Sequence, residues 1–416
     1  MDTVKNDFNH LSNTISLKFV FALFVLSVFT ITTLPGTFLL TQYIYYIQFV
    51  VFIFFILLTF TEANHSNGKP TKFNFFHALL FVSFVLFLIS SFYVNFEINF
   101  ELKSIFKLIS YPIVIYLFMF YLPKHFYLND QLFDKFLNGF LYFSIFAAIV
   151  ALSFFFLNVN INQKYSYTSI GFFAHPNSTA FIYTFSIPIL IYKYYHKSIS
   201  KGFLIVCAVI LGLGFIFTLS RGGYLGVFTA MSILLFSYSK RMFFLTLICL
   251  VPLILYIIFN VASSKGDSSY PRLLLAITAY DMIFNRGMTN MLWGYGIFNN
   301  IEVFVKDKYL FGSIEDVVDP HNVFLLLSIQ FGILLTISVT ILVLFLLIRI
   351  AFKSKKFWSM EKKLRVQLCL SIICGLIAQN LLEDIVVYPE YYVMAFFLIL
   401  FGYLYLAVYE KDEKIT

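Results

Sequence analysis

Apolar residues along this chain neither alternate nor recur at helical spacing; they run in long unbroken blocks that polar residues only punctuate. Blocks of about 18 to 25 residues are each long enough to cross roughly 30 Å of hydrocarbon as a helix. They predict spans at 17–34, 38–60, 73–96, 105–122, 136–157, 170–192, 202–219, 222–237, 242–262, 320–348, 366–382 and 389–409. Continuity of the blocks argues against a β-barrel, whose strands alternate. The expected fold is therefore all-α: a polytopic integral membrane protein of about 12 transmembrane helices. The first block is followed by Pro35-Gly36 with no small-residue cleavage site, which reads as a retained span and not a removed signal.

Composition narrows the class further. Of the 416 residues, 60% are apolar and only 12% charged, and the mean hydropathy is +0.86; a water-soluble domain of this size could not carry such a surface. Charge then orients the spans. Most of the 29 Lys and Arg, including Lys69, Lys72, Lys124, Lys193, Lys201, Lys240 and the run at 353–365, fall on one side if both termini are cytoplasmic. Five others, Lys265, Arg272, Arg286, Lys306 and Lys308, lie in the loop at 263–319 between spans nine and ten. A loop of that length escapes the charge rule, so it is placed on the extracytoplasmic side. The expected location is the cell (inner or plasma) membrane, with the basic run at 353–365 a topological anchor before it is a lipid-headgroup site.

No repeat or separate soluble region interrupts the chain, so residues 1–416 read as a single membrane domain. The loop at 263–319 carries apolar stretches such as 273–283 and is expected to fold into short helices. Cys207, Cys249, Cys369 and Cys374 all fall inside apolar spans and act as small hydrophobes, without metal-site or disulfide spacing. There is no Asp-x-Asp cluster, P-loop or GxGxxG. Accordingly no metal, cofactor or nucleotide is expected, and no nucleic acid among the partners.

Polar residues are costly in spans, so the few present carry the information. Arg221 sits in FTLSRGGYLG between spans seven and eight. Ser220 suits an N-cap there, and Gly222 and Gly223 would let an anion approach the amides of a helix start beside a guanidinium. An interfacial Arg reaching for lipid headgroups is the competing reading. In DVVDPHNVFLLL, Asp319 reads as the N-cap and Pro320 as the first helical residue, placing His321 and Asn322 in the opening turn of span ten. A ring kept neutral there is able to accept a proton, although a lone interfacial His is more often structural. In GFFAHPNSTAF, His175 and Asn177 lie early in span six, where Pro176 is expected to open the helix ladder onto a cavity or a packing site. Glu383 and Asp384 mark the end of span eleven, able to orient a His or Arg or simply solvated. Arg272 and Arg286 belong to the loop, ahead of the WGYG turn at Gly294 and Gly296. All of these features fall on one side of the membrane once the charges orient the chain.

In their order, HPN early in a middle span, SRGG after span seven, a long loop with Arg272 and WGYG, and PHN at span ten, these motifs resemble the O-antigen ligase and polysaccharide polymerase superfamily of membrane glycosyltransferases over roughly residues 165–405. The resemblance implies transfer of a glycan from a polyprenyl-pyrophosphate carrier, undecaprenyl pyrophosphate in kind, to an acceptor hydroxyl at the outer face. It implies pyrophosphate binding by Arg221 and Arg272 and His321 as general base; Asn177, Asn322 and Glu383 match weaker family positions, and Arg286 matches none. A polymerase extending a cell-surface polysaccharide is expected first, on a composition rich in Phe, Ile, Asn and Lys of the kind AT-rich sources give. A ligase acting on lipid A core or protein is the alternative within the family. A transporter or flippase of lipid-linked oligosaccharide is the alternative from another class.

Overall fold

The computed structural model describes residues 75–93, 102–159, 175–241, 269–296, 320–352, 359–383 and 392–409, together with positions 168, 171, 173, 243, 244 and 248. Every regular element among the described residues is helical, with no strand. In chain order these are α1 (Phe75–Tyr93), α2 (Leu102–Ile115), a π-helical turn (Tyr116–Tyr121), α3 (Leu122–Leu128), α4 (Asp130–Phe156), α5 (Pro176–Tyr195) and α6 (Lys201–Ile216). They continue with α7 (Arg221–Tyr238), α8 (Ser269–Phe284), α9 (Met288–Trp293), α10 (Val323–Phe352), α11 (Met360–Asn380) and α12 (Tyr392–Tyr409).

Among the described residues, three helical stretches are long and apolar enough to cross a membrane: Leu108–Leu128, Asp130–Phe156 and Val323–Phe352. Shorter apolar helices lie at Phe75–Ser91, Lys201–Ile216, Leu273–Phe284 and Val393–Tyr409. The expected spans at 17–34 and 38–60, and most of 242–262, lie outside the described residues. Along α10, Ile337, Ile341, Leu344 and Ile348 form a stripe at helical spacing, each about half exposed, as do Ile205, Val206 and Val209 on α6. Such stripes are stable in hydrocarbon and not in water. The chain is an integral membrane protein.

Local sequence sets where the helices begin and end. Only Asn129 separates α3 from α4, and its Oδ1 accepts from the Leu132 amide at 3.1 Å, an N-cap that turns the chain within one residue. Span six starts later than expected. Pro176 is the first residue of α5, where its fixed φ and missing N–H cost nothing, so it opens no gap in the ladder. Span eleven starts earlier, because Ser359 caps the Lys362 amide at 3.2 Å and the charged first turn is held in ion pairs.

Of the expected loop at 263–319, the described part forms α8 and α9, which pack on α10. Contact is made at a break in α10, where Gly332 adopts φ 80° and ψ 168°. The Gly294 amide turn docks there: a Cβ on Gly294 would lie 2.6 Å from the Gln330 carbonyl, and one on Gly332 would strike Leu292. The Tyr295 amide donates to the Ile329 carbonyl at 2.7 Å, taking up an acceptor that the break frees. This is why WGYG and QFG carry glycine at both meeting points.

Two of the basic residues assigned to the cytoplasmic side are buried. Arg365 is 1% and Lys193 2% exposed. Arg365 pairs with Asp130, with Asp134 at 3.3 Å and with Glu361 at 2.8 Å, while Lys193 reaches Asp134 at 3.3 Å. Asp134 thus joins α4 to both α5 and α11. The carboxylates are a third to three-fifths exposed, so breaking the network costs less than breaking a fully buried pair, about 1–3 kcal/mol. Arg365→Ala is expected to lower the thermal midpoint of the detergent-solubilised protein by several degrees, and Asp130→Asn, whose carboxylate is more exposed, by less. An Arg365→Ala protein melting like the parent would show the network to be energetically idle.

Candidate active site

The α7 helix starts at Arg221 behind Ser220, whose Oγ accepts from the Gly223 amide at 3.1 Å, as the sequence led us to expect. Leu219, just before, is held at φ 52°, and the Thr218 hydroxyl takes the Ser220 amide at 3.3 Å. The backbone turn into Arg221 is therefore fixed by two side-chain bonds. Glycines at 222, 223 and 226 let three helices close around it. A Cβ at Gly223 would stand 2.5 Å from that of Ala180 on α5, and one at Gly226 would stand 2.9 Å from Gln379 on α11. At Gly222 the neighbour is Glu383 itself, with Cγ 3.1 Å and Oε1 3.5 Å from the position a Cβ would take.

Glu383 is only 2% exposed. Its carboxylate therefore is not a solvated helix-end charge; it stands beside the first turn of α7, the end of a helix dipole that favours negative charge. Asp384 lies outside the described residues.

The start of α10 differs from expectation in detail. Helix begins at Val323, and Asn322, not Asp319, is its cap: Asn322 Oδ1 accepts from the Phe324 amide at 3.0 Å and the Leu325 amide at 3.1 Å. A carboxamide at this position satisfies two first-turn amides and still has a donor to spend. Asn322 Nδ2 spends it on the Leu381 carbonyl, 2.8 Å away, tying the start of α10 to the end of α11. His321 stands one residue outside the helix, in a left-handed turn at φ 48°. A non-glycine residue held there carries strain of the order of 1 kcal/mol or more, which such sites retain when the side chain's direction matters.

His175 has a local duty. Its Nδ1 accepts from the Asn177 amide at 3.1 Å and so caps α5, while Asn177 is buried in the first turn. Accepting at Nδ1 places the ring proton on Nε2. Arg272 lies in the first turn of α8, but its side chain is outside the described residues. Arg286 turns to Asp281, with Nε at 3.2 Å and Nη2 at 3.1 Å. Hydrogen bonds from Asn285 and Arg286 hold the Asp281 carboxyl below the usual carboxylate range. The pair closes the turn from α8 into α9.

The starts of α5, α7 and α10 and the end of α11 thus meet at one end of the bundle. Arg221 and His321 are each one residue from a contact with the 381–383 segment. Gln379 belongs to the same corner and was not singled out from the sequence; a glutamine inside an apolar span, four residues before Glu383, was the available signal.

A helical integral membrane protein whose chemistry-bearing side chains gather at one end of its bundle is the class defined so far. Residues 206–340, about a third of the chain, match a family model described as O-antigen ligase, in line with the resemblance that the order of the motifs suggests. The matched region contains SRGG, Arg272, WGYG and PHN; HPN at 175–177 and Glu383 fall outside it. No curated protein and no solved structure matches the chain.

The corner gives a graded expectation. Gly223→Ala, blocked by Ala180, should reduce the yield of folded protein, whereas Gly222→Ala, which presses chiefly on the flexible Glu383 side chain, should fold and lose function. Thermal midpoint and glycan transfer measured on both variants check this, and equal behaviour of the two would contradict it.

Proposed function

We propose that this protein transfers a glycan from a polyprenyl-pyrophosphate donor to an acceptor hydroxyl at the extracytoplasmic face of the cell membrane, as a cell-surface polysaccharide polymerase. The observation that carries the reading is the meeting of the Arg221 corner, Glu383 and the His321–Asn322 turn through direct contacts. Arg221, joined by Arg272, takes the pyrophosphate by paired hydrogen bonds. His321 accepts the proton of the acceptor hydroxyl as its oxygen attacks the anomeric carbon. The bond from that carbon to the pyrophosphate breaks, and polyprenyl pyrophosphate leaves with the electron pair.

Such a donor already has a good leaving group, so charge stabilisation and a base are what the protein must add. Among the described residues, a cavity of about 700 Å³ runs from Val323 and Asn380, beside the site, along Leu327, Phe331, Phe397 and Phe401. Its walls are almost wholly apolar, which suits the isoprenoid part of such a donor. Asn322 and Asn177 act in this reading by shaping the helix starts, with one Asn322 amide hydrogen left for substrate; His175 caps, and Arg286 braces the α9 turn.

Arg221→Ala and His321→Ala are each expected to reduce chain extension by about 100-fold or more while the protein inserts normally. Products read by gel after incubation with the lipid-linked oligosaccharide fraction of the source membranes check this. Lengthened lipid-linked glycan identifies a polymerase, and label on lipid A core or protein a ligase. The break in α10 at Gly332 favours one other reading, since transporters use interrupted helices. Translocation of the labelled lipid-linked sugar across reconstituted vesicles without any transfer would replace the transferase with that reading.

A further inference from the structure

Neither broad face of α8 is suited to water. From Leu273 to Phe284 the exposed residues are Leu273, Ile277, Tyr280 and Phe284, all apolar or aromatic, and their spacing of four, three and four puts them in one stripe along the helix. Leu273 and Tyr280 are each 57% exposed. The other face is apolar as well, where Leu275, Ala279 and Met282 pack with Ile329 of α10. A helix lying on a protein surface carries polar residues on its open face when that face meets water; one that is apolar on both sides has a second apolar neighbour. Asp281, the carboxylate of this stretch, is taken up by Asn285 and Arg286.

What the stripe meets follows from where α8 and α9 sit. The Gly294 turn enters α10 at Gly332, about 14 Å along that helix from Val323 at 1.5 Å per residue. The neighbouring Trp293 carbonyl accepts from Ser90 Oγ of α1 at 2.5 Å. The end of α9 is therefore held between two apolar helices, well below the start of one of them. Along α10, Leu325, Ile329 and Ile333 pack into the same cluster as α8, and Ile337 and Ile341, which continue that four-residue spacing, lie open to hydrocarbon. Lipid covering α10 thus begins where α8 leaves off. The whole of α8, Ser269–Phe284, covers about 24 Å, short of the roughly 30 Å needed to cross. We propose that α8 lies in the lipid leaflet at the candidate-site end of the bundle, with Leu273, Ile277, Tyr280 and Phe284 packed on acyl chains. The segment expected as a solvated loop is in its described part an element of the leaflet. This holds whether or not the chain is a transferase.

Spin labels read the partner directly. The full-length chain, with Cys207, Cys249, Cys369 and Cys374 replaced by Ala, is reconstituted in phosphatidylethanolamine and phosphatidylglycerol vesicles and labelled at Ile277→Cys or Phe284→Cys. Ile341→Cys on α10 serves as the lipid-facing reference and the exposed Ser198→Cys, in the turn between α5 and α6, as the water-facing one. Oxygen concentrates among acyl chains, whereas a nickel chelate stays in water. Relaxation by oxygen is expected to exceed that by nickel at both α8 positions, as at Ile341→Cys, with the order reversed at Ser198→Cys. Nickel exceeding oxygen at Ile277→Cys would put the stripe in water. Labels reached by neither would show it covered by protein, dipolar broadening then marking a second copy of the chain; either result overturns the inference. Should the cysteine-free chain fail to fold, Ile277→Trp in the otherwise unaltered protein is read as the fluorescence gained over the parent. That gain is expected to be quenched by lipids brominated on their acyl chains and not by iodide, and the reverse pattern, or quenching by neither, overturns the inference as well.

Discussion

The close approach of α7 to α11 is the constraint on which the rest depends. Lipid tails are as apolar as leucine, so helices in a bilayer gain little from hiding apolar surface and must be held by contact and hydrogen bonding. Gly222 and Gly226 on α7 meet Gly375, Gln379 and Glu383 on and after α11, and a Cβ at Gly375 would lie 2.6 Å from the Gly226 carbonyl. The backbones are therefore near enough for a glutamate just past one helix to stand at the first turn of the other. Separate the two helices by one methyl group and Glu383 no longer borders Gly222.

From that contact the site is assembled by helix ends and not by helix middles. Ser220, His175 and Asn322 are all caps, each satisfying amides that a helix start leaves open. Because each cap fixes the direction in which the chain enters its helix, the residues beside the caps, Arg221 and His321, are aimed without being buried. The left-handed backbone at Leu219 and His321 belongs to the same device. At the other end of α11, roughly 25 Å away at 1.5 Å per residue, the Arg365 network does the complementary work of locking α4, α5 and α11 together. One end of the bundle is tied by ion pairs, and the polar residues at the other end are held by caps and glycine contacts.

Much of this was legible without coordinates. Unbroken apolar blocks announce membrane helices because hydrocarbon tolerates nothing else, and helices stand at 75–93, 201–216, 221–238 and 392–409 within a few residues of where the blocks put them. The Ser220 cap and the importance of SRGG followed from local chemistry, since a serine before a helix-starting turn has one obvious acceptor to offer. The same reasoning misplaced the cap of α10 by three residues, because Asp319 and Asn322 are equally good caps locally and the bond from Asn322 to Leu381 decides between them.

What the sequence by itself determined, then, is the solvent the chain lives in, the register of its spans and the short motifs that flank them, all of which depend on neighbours within a turn or two. Only the tertiary structure decided which motifs meet. That Glu383 is buried against Gly222 and that Arg365 and Lys193 are enclosed around Asp134 are facts about residues tens to hundreds of positions apart. Their pairing is set by helix–helix distance, and no pattern along a single chain records that distance.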